Sequence, residues 1–435
     1  MTECFPRKSF EELKKGAESG NPQDQLDLAL IYLEGEANVE RDPVMAAKLL
    51  KESSDGGNHQ ATYNLSYIYS AGLGVTKDQN ESITLLRRAA EAGYPPAEQN
   101  MGTLYILGEL VPQDPELALS WYQKAADHGD LVALYQLGLL YLEGRKGIEQ
   151  NSEQAFLCFS KAAKGRLIDA QYNLGLMYYY GNGVEINREE AFRLFKETAE
   201  RGNPNSQYNL ATMYSMGEGT AEDKGLAFKW FKEAAKHGIT LAEQSLGFSY
   251  LFGTGTEVNK EEAEKWLVKS ARKGELRSQV VLGIMYQVGD GVEQDFDMAL
   301  KYYQMAALQG DVESMYRAAM IGFAMEGVSA DEYETFMKYL EGAAKSGHVG
   351  AMLSYADMLW SGFLEHHRDR DKATKYYEEA AKLGNPDAMY ALALINLSES
   401  ENPLKRDDAI QLLKKLKELQ YPGAAEKLKE LGLSS

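Results

Sequence analysis

The chain has 435 residues, with 65 acidic and 46 basic side chains and a formal net charge of −19. That balance disfavours nucleic acid and anionic membranes as partners, because both need a basic face. Hydrophobic residues at 44% and charged residues at 26% describe a folded chain rather than a disordered one.

In chain order, the opening "MTECFPRKSFEELKKGAESG" has no apolar run of roughly 7–15 residues such as a signal peptide carries. Ser9–Ser19 predicts a single helix, and residues 1–20 read as an N-terminal cap. From residue 21 the sequence repeats. A small pair followed by glycine closes each unit, as in "YQKAADHG", "FKEAAKHG" and "YQMAALQG". The closing positions are Gly20, Gly57, Gly93, Gly129, Arg166, Gly202, Gly238, Gly274, Gly310, Gly347, Gly384 and Gln420, spaced by 36 or 37 residues. Eleven units therefore fill residues 21–420, and residues 421–435 read as a C-terminal capping helix.

Each unit reads as two helices. In the first, Ala170, Leu174, Gly175, Tyr178 and Gly181 recur at helical spacing; in the second, Ala191, Leu194, Phe195, Thr198 and Ala199 do. A fixed small residue beside a fixed large one is a code for close helix packing. The closing glycine suits the left-handed position past a helix end. Asn21-Pro22, Asn203-Pro204 and Asn385-Pro386 pair an N-cap with proline at the first helical position. Fifteen residues before the closing position stand Asp42, Asp78, Asp114, Asn151, Asn187, Asp223, Asn259, Asp295 and Asp369, which are candidate N-caps of the second helices. Glu190 and Glu262 follow at the spacing of a capping box. Much of the acidity is thus helix-start chemistry. The most apolar stretch, Leu131–Leu142, is interrupted by Gln136 and too short to span a bilayer.

The unit after Gly310 breaks the code. Ala319 stands for the glycine, Gly322 for the tyrosine and Phe336 for the second-helix alanine. The unit after Gly384 has "LSESENPLKRDD" in place of the Gly-x-Gly turn. Atypical terminal units are expected where one side faces water.

The string A-x-x-N-L-G-x-x-Y-x-x-G-x-G-V, followed by A-x-x-W/L-F/Y-x-x-A-A-x-x-G, resembles the Sel-1-like repeat, a relative of the tetratricopeptide repeat with a longer turn between its helices. The resemblance covers Ser9 to Leu433. It implies an all-α fold: a right-handed superhelical solenoid of helix-turn-helix repeats that binds proteins or peptides on its concave side, often as an adaptor in signalling or quality-control complexes. Secreted relatives carry paired cysteines in each repeat, whereas this chain has only Cys4 and Cys158; the expected location is cytoplasmic.

The recurring Gly-x-Gly turns, Gly181/Gly183 among them, follow helices rather than a strand and recur in several units, so they read as helix connections and not as a phosphate loop. His59, His128, His237, His348, His366 and His367 show no metal-ligand spacing, although His128 and His237 share a place at a second-helix end where a cation favours the dipole. Cys158 occupies the slot of Trp121, Leu194, Trp230 and Trp266 and reads as core. No catalytic constellation stands out, and neither enzymatic activity nor a cofactor or metal is expected.

Counting from Ala170 as zero, positions +2, +3, +6, +9 and +10 fall off the packing stripe of the first helix. By resemblance they face the groove. Position +3 is Asn64, Asn100, Gln136, Asn173 and Asn209; position +2 includes Tyr63, Tyr135, Tyr172 and Tyr208. Two readings stay open: these residues hold a polypeptide partner, or the carboxamides tie adjacent repeats and the tyrosines cover a seam. Tyr179 and Tyr180 are also left over by the core pattern. A scaffold binding protein segments on this face is the expected function. The alternative is a regulatory or targeting subunit that docks through the irregular C-terminal units, where Leu404–Ser435 carries seven basic and five acidic residues.

Overall fold

The structure is a computed structural model that describes residues 8–35, 39–145, 147–362, 368–398 and 403–433. Cys4, His366 and His367 lie outside the described residues. The chain divides into two compact units, Met1–Asp223 and Lys224–Ser435.

The first unit opens with α1 (Phe10–Glu18), α2 (Pro22–Glu34), α3 (Pro43–Asp55) and α4 (His59–Ala71). It continues through α5 (Gln79–Glu91), α6 (Pro95–Leu107), α7 (Pro115–Asp127) and α8 (Leu131–Glu143), and ends with α9 (Ser152–Lys164), α10 (Ile168–Tyr180), α11 (Arg188–Glu200) and α12 (Pro204–Met216). The second unit holds α13 (Lys224–Lys236), α14 (Thr240–Phe252), α15 (Lys260–Arg272), α16 (Leu276–Val288), α17 (Phe296–Ala307) and α18 (Val312–Ala324). After them come α19 (Ala330–Lys345), α20 (Val349–Ser361), α21 (Arg370–Lys382), α22 (Pro386–Ser398), α23 (Pro403–Glu418) and α24 (Ala424–Glu430). Within each unit, consecutive helices pack against one another, and this is an all-α solenoid of helix pairs. Even-numbered helices from α2 to α22 are the first members of the repeats.

The small-large code is resolved as contact. A Cβ on Gly102, Gly138, Gly175 or Gly283 would meet the ring of Tyr122, Phe159, Phe195 or Tyr303 on the second helix of the same repeat. In α18 the volumes are exchanged. Gly322 stands where other repeats carry tyrosine, Phe336 where they carry alanine, and the Phe336 ring fills the space over Gly322. The two irregularities are one swap that conserves volume.

Turn chemistry sets the path between helices. The first glycine of each Gly-x-Gly is left-handed and ends the first helix, as at Gly181 (φ 77°). The second approaches the first turn of the preceding second helix so closely that a Cβ on Gly74, Gly183 or Gly219 would fall inside the carbonyl of Pro43, Ser152 or Arg188. The N–H of the next cap residue then donates back to the carbonyl of the tyrosine at +8: Asn187 to Tyr178 and Asn259 to Tyr250, both at 2.9 Å. Asp42, Asp78, Asp114, Asn151, Asn187, Asn259, Asp295 and Asp369 all accept helix-start N–H bonds.

Two expectations change. Glu190 and Glu262 do not close capping boxes: their carboxylates take Arg193 and Lys265, cations three residues on. The boxes form instead at Ser9/Glu12 and Ser329/Glu332, which open α1 and the long helix α19. Cys158 is half-buried at the edge of the cluster around Tyr122 rather than inside it, and burial pushes its thiol pKa up.

Candidate protein-docking face

On an α-helix of about 100° per residue, positions 0, +4, +8 and +11 cluster on one side, while +6 and +10 fall near the opposite side. In the structure the first group is turned to neighbouring helices and the second to solvent. At +10 stand Leu107, Tyr180 and Met216 in the first unit and Phe252 and Val288 in the second, with exposures from 56% (Leu107) to 68% (Phe252). At +6, one turn before, Tyr67 in the first unit and Ile284, Met320 and Leu394 in the second are exposed as well. Phe248 and Phe252 lie against each other at 6.2 Å on α14.

This face carries no Lys or Arg and few acids, Glu34 and Glu143 at +10 and Asp357 at +6. Helix α10 has a single charged residue, Asp169, whereas its partner α11 has seven; α14 has only Glu243, which is buried, whereas α15 has seven. Exposed apolar and tyrosine side chains with charge depleted are the composition of an interface core.

The residues singled out by sequence sit beside this column. Tyr63, Asn64, Asn100, Tyr135, Gln136, Tyr172, Asn173, Tyr179, Tyr208 and Asn209 are half-buried, and Tyr180 is exposed. The structure joins several of them across repeats. Asn100 Nδ2 donates to the Tyr63 hydroxyl at 2.9 Å; Asn173 Nδ2 donates to the Tyr135 hydroxyl at 3.4 Å and to the Asp169 carbonyl at 2.9 Å. The Tyr172 hydroxyl is hydrogen-bonded to Asn209, although burial still raises its pKa. Each tie links the +2 tyrosine of one repeat to the +3 asparagine of the next. The tyrosine rings also rest on aromatic rings of their own repeats, Tyr135 on Phe159 at 5.7 Å and Tyr172 on Phe195 at 5.9 Å. Among the described residues, Asn64 and Gln136 make no side-chain hydrogen bond.

Tyr179 belongs to a separate cluster. Its hydroxyl donates to Glu218, Arg188 lies over its ring at 3.8 Å, and Tyr180 meets it edge-on at 4.9 Å. Burial, reinforced by the bond to Glu218, pushes its pKa up to about 12. His128 Nδ1 is 2.8 Å from the buried Glu98 carboxylate on the first helix of the same repeat, and His237 is exposed. His348 caps α20 by accepting the Ala351 N–H on Nδ1, so its Nε2–H donates to Glu313 at 3.0 Å. No group of three His, Cys, Asp or Glu residues that could hold a metal occurs among the described residues, and none of their helices is long and apolar enough to cross a membrane.

The sequence placed +6 and +10 on this face together with +2, +3 and +9, but of the +6 and +10 residues it singled out only Tyr180. Their signal was present: successive first helices place no lysine or arginine there, while the second helices are crowded with both.

The Sel1 repeat profile matches nine segments: 22–58, 59–94, 95–130, 131–166, 168–203, 204–239, 240–275, 276–311 and 349–385. The volume-swapped pair α18/α19 lies in the gap between the last two. A search of curated proteins found no match. Among solved structures, the chain is similar to c5321 of uropathogenic Escherichia coli, a protective antigen displaying an SLR fold, at 26% identity over 98% of both chains with a TM-score of 0.75. It is also similar to a Sel1 repeat protein from Oxalobacter formigenes, at 32% identity over 70% of this chain and 87% of that one, with a TM-score of 0.53. The repeat geometry, the nine matched segments and these two structural likenesses agree: the chain belongs to the Sel1 repeat family.

Proposed function

We propose that this protein is a non-enzymatic scaffold that holds a polypeptide segment against the outward side of its first helices. The Sel1-repeat solenoid is a fold commonly used for protein–protein interaction and is generally non-catalytic. The observation that carries the reading is the column of exposed Leu107, Tyr180 and Met216, free of Lys and Arg, with the same kind of side chain, Phe252 and Val288, at the same helix position in the second unit. Such side chains gain on the order of 25 cal/mol for each Å² of apolar surface a partner covers. The half-buried Tyr63, Asn64, Asn100, Tyr135, Gln136, Tyr172, Asn173, Tyr179, Tyr208 and Asn209 flank this column; their cross-repeat ties hold its floor rigid and lower the ordering cost of binding. A photo-crosslinking residue at 180, 216 or 252 should trap one common polypeptide, and the same residue at exposed Lys196 on α11 should not. Trapping from position 196 alone would place the interface on the second helices.

A second reading is supported by the exposed Lys414, Lys415 and Lys429 of the locally basic end: a regulatory or targeting subunit that docks through α23 and α24. Lys→Glu changes at these three positions leave the buried Leu413, Leu416 and Leu428 intact. Loss of the trapped partner in that variant would favour docking through the end.

A further inference from the structure

A groove of about 620 Å³ opens in the second unit beside the volume-swapped repeat. One wall is apolar, built from Phe296 and Met320, both exposed, with Met325 beyond them. Two further features of this repeat make the room. The residue at +10 is the small Ala324, and Met325 continues in extended backbone (φ −78°, ψ 146°) where other repeats have a left-handed glycine.

The polar wall is oriented. Arg317 occupies position +3, which holds a carboxamide in five earlier repeats. Its Nε donates to Glu313 at 2.6 Å and its Nη1 to Gln287 Oε1 at 3.2 Å; Tyr303 also engages it. A guanidinium has five N–H donors, so at least two remain. Gln287 Oε1 accepts from both Arg317 and the Tyr303 hydroxyl, at 2.8 Å for the latter, which turns the amide Nε2 donors away from that network. Glu313 is already taken by Arg317 and His348. With the charge of Glu313 offset by Arg317, the free donors on this wall are those of Arg317 and Gln287. Arg317 and Arg277 are also the only Lys or Arg residues on the described first helices, so an anionic group meets no competing basic face nearby.

We propose that this groove is a side-chain subsite for an internal polypeptide segment in which a large apolar residue stands next to an Asp or Glu. The apolar side chain covers Phe296 and Met320, and the carboxylate takes the remaining donors of Arg317 and Gln287. An internal segment is favoured over a chain terminus because α16, which lends Gln287 to the groove, also exposes Ile284 and Val288 as further apolar surface for flanking residues. The inference rests on the docking role proposed above and adds to it the chemistry of one ligand residue.

The test uses the full chain and end-capped 12-residue peptides of Gly and Ser carrying a central Phe-Glu, Phe-Gln, Ala-Glu or Phe-Lys, read by fluorescence polarisation. The wild type should prefer Phe-Glu to Phe-Gln by about tenfold, the equivalent of one charge-assisted hydrogen bond. Arg317→Gln should erase that preference and leave Phe-Gln binding unchanged, while Met320→Glu should weaken both, with circular dichroism reporting intact folding. Equal binding of Phe-Glu and Phe-Gln, preference for Phe-Lys, binding that needs a free carboxyl terminus, or no binding of any peptide would overturn the subsite. The crosslinks from positions 180 and 216 report on the docking role separately, since neither residue lies in this groove.

Discussion

Arg166 and Gln420 are the only non-glycine residues with positive φ among the described residues, at 64° and 56°, and both occupy the closing position that glycine holds in the other repeats. The backbone needs the left-handed conformation there whatever side chain arrives, because the short link between helices, three residues at Arg166, leaves no other path. Most of the closing glycines, Gly202 among them, have open space where a Cβ would stand, so conformation and not crowding selects glycine. Arg166→Gly should therefore raise stability by about 0.5–1 kcal/mol and Gly202→Ala lower it by about 1 kcal/mol in urea melts. Gly183→Ala should cost more than Gly202→Ala, since its Cβ would also collide with the Ser152 carbonyl. Tyr179 gives a pH prediction. Its folded pKa, about 12, lies above the value near 10 of an unfolded tyrosine, so its contribution to stability is whole below pH 10 and is lost as pH rises toward 12. Ultraviolet titration of Tyr179→Phe should lose one late-ionising tyrosine, and its alkaline destabilisation should be less steep than that of the wild type.

At the scale of the element, the repeat conserves a volume sum across two helices. Gly175 against Phe195 and Gly322 against Phe336 are the same solution reached at different places on the first helix. The sequence shows Gly322 and Phe336 as two separate departures because they lie on different helices; only their packing makes them one event. A double-mutant cycle should expose this. Gly322→Tyr and Phe336→Ala should each destabilise, the latter by about 3–5 kcal/mol as a cavity, and the pair together should recover about 1–3 kcal/mol of the summed loss. Additive losses in thermal or urea unfolding would show that the two positions act independently. The capping chemistry teaches a related point. The acidic spacing at Glu190 and Glu262 fits a box, but Arg193 and Lys265 stand one turn away and win the carboxylates.

At the scale of the molecule, each helix pair depends on its neighbours, because an isolated pair leaves an apolar side uncovered. Amide hydrogen exchange should consequently be slowest in interior helices such as α10 and α16 and fastest in α1 and α24, which have a neighbour on one side only; uniform protection along each unit would contradict nearest-neighbour stability. The repeat period, the helix pairs, the left-handed closures and the caps were legible in the sequence, since all are set by residues within one repeat and recur often enough to be recognised. The proposed docking face was legible only in part. Tyr63, Asn100, Tyr135 and Asn173 were recognisable as residues that the packing stripe leaves over, but tyrosine and asparagine can serve a ligand or a neighbouring repeat equally well. That choice depends on whether the partner lies about 37 residues away in the same chain or in another molecule, and sequence spacing along one helix does not encode that distance. The tertiary structure decided it for Asn100 and Asn173, by bringing each within reach of a tyrosine hydroxyl, and it added Met216 and Phe252 to Tyr180 as exposed surface because neighbouring helices cover the sides of each first helix but not its outermost line.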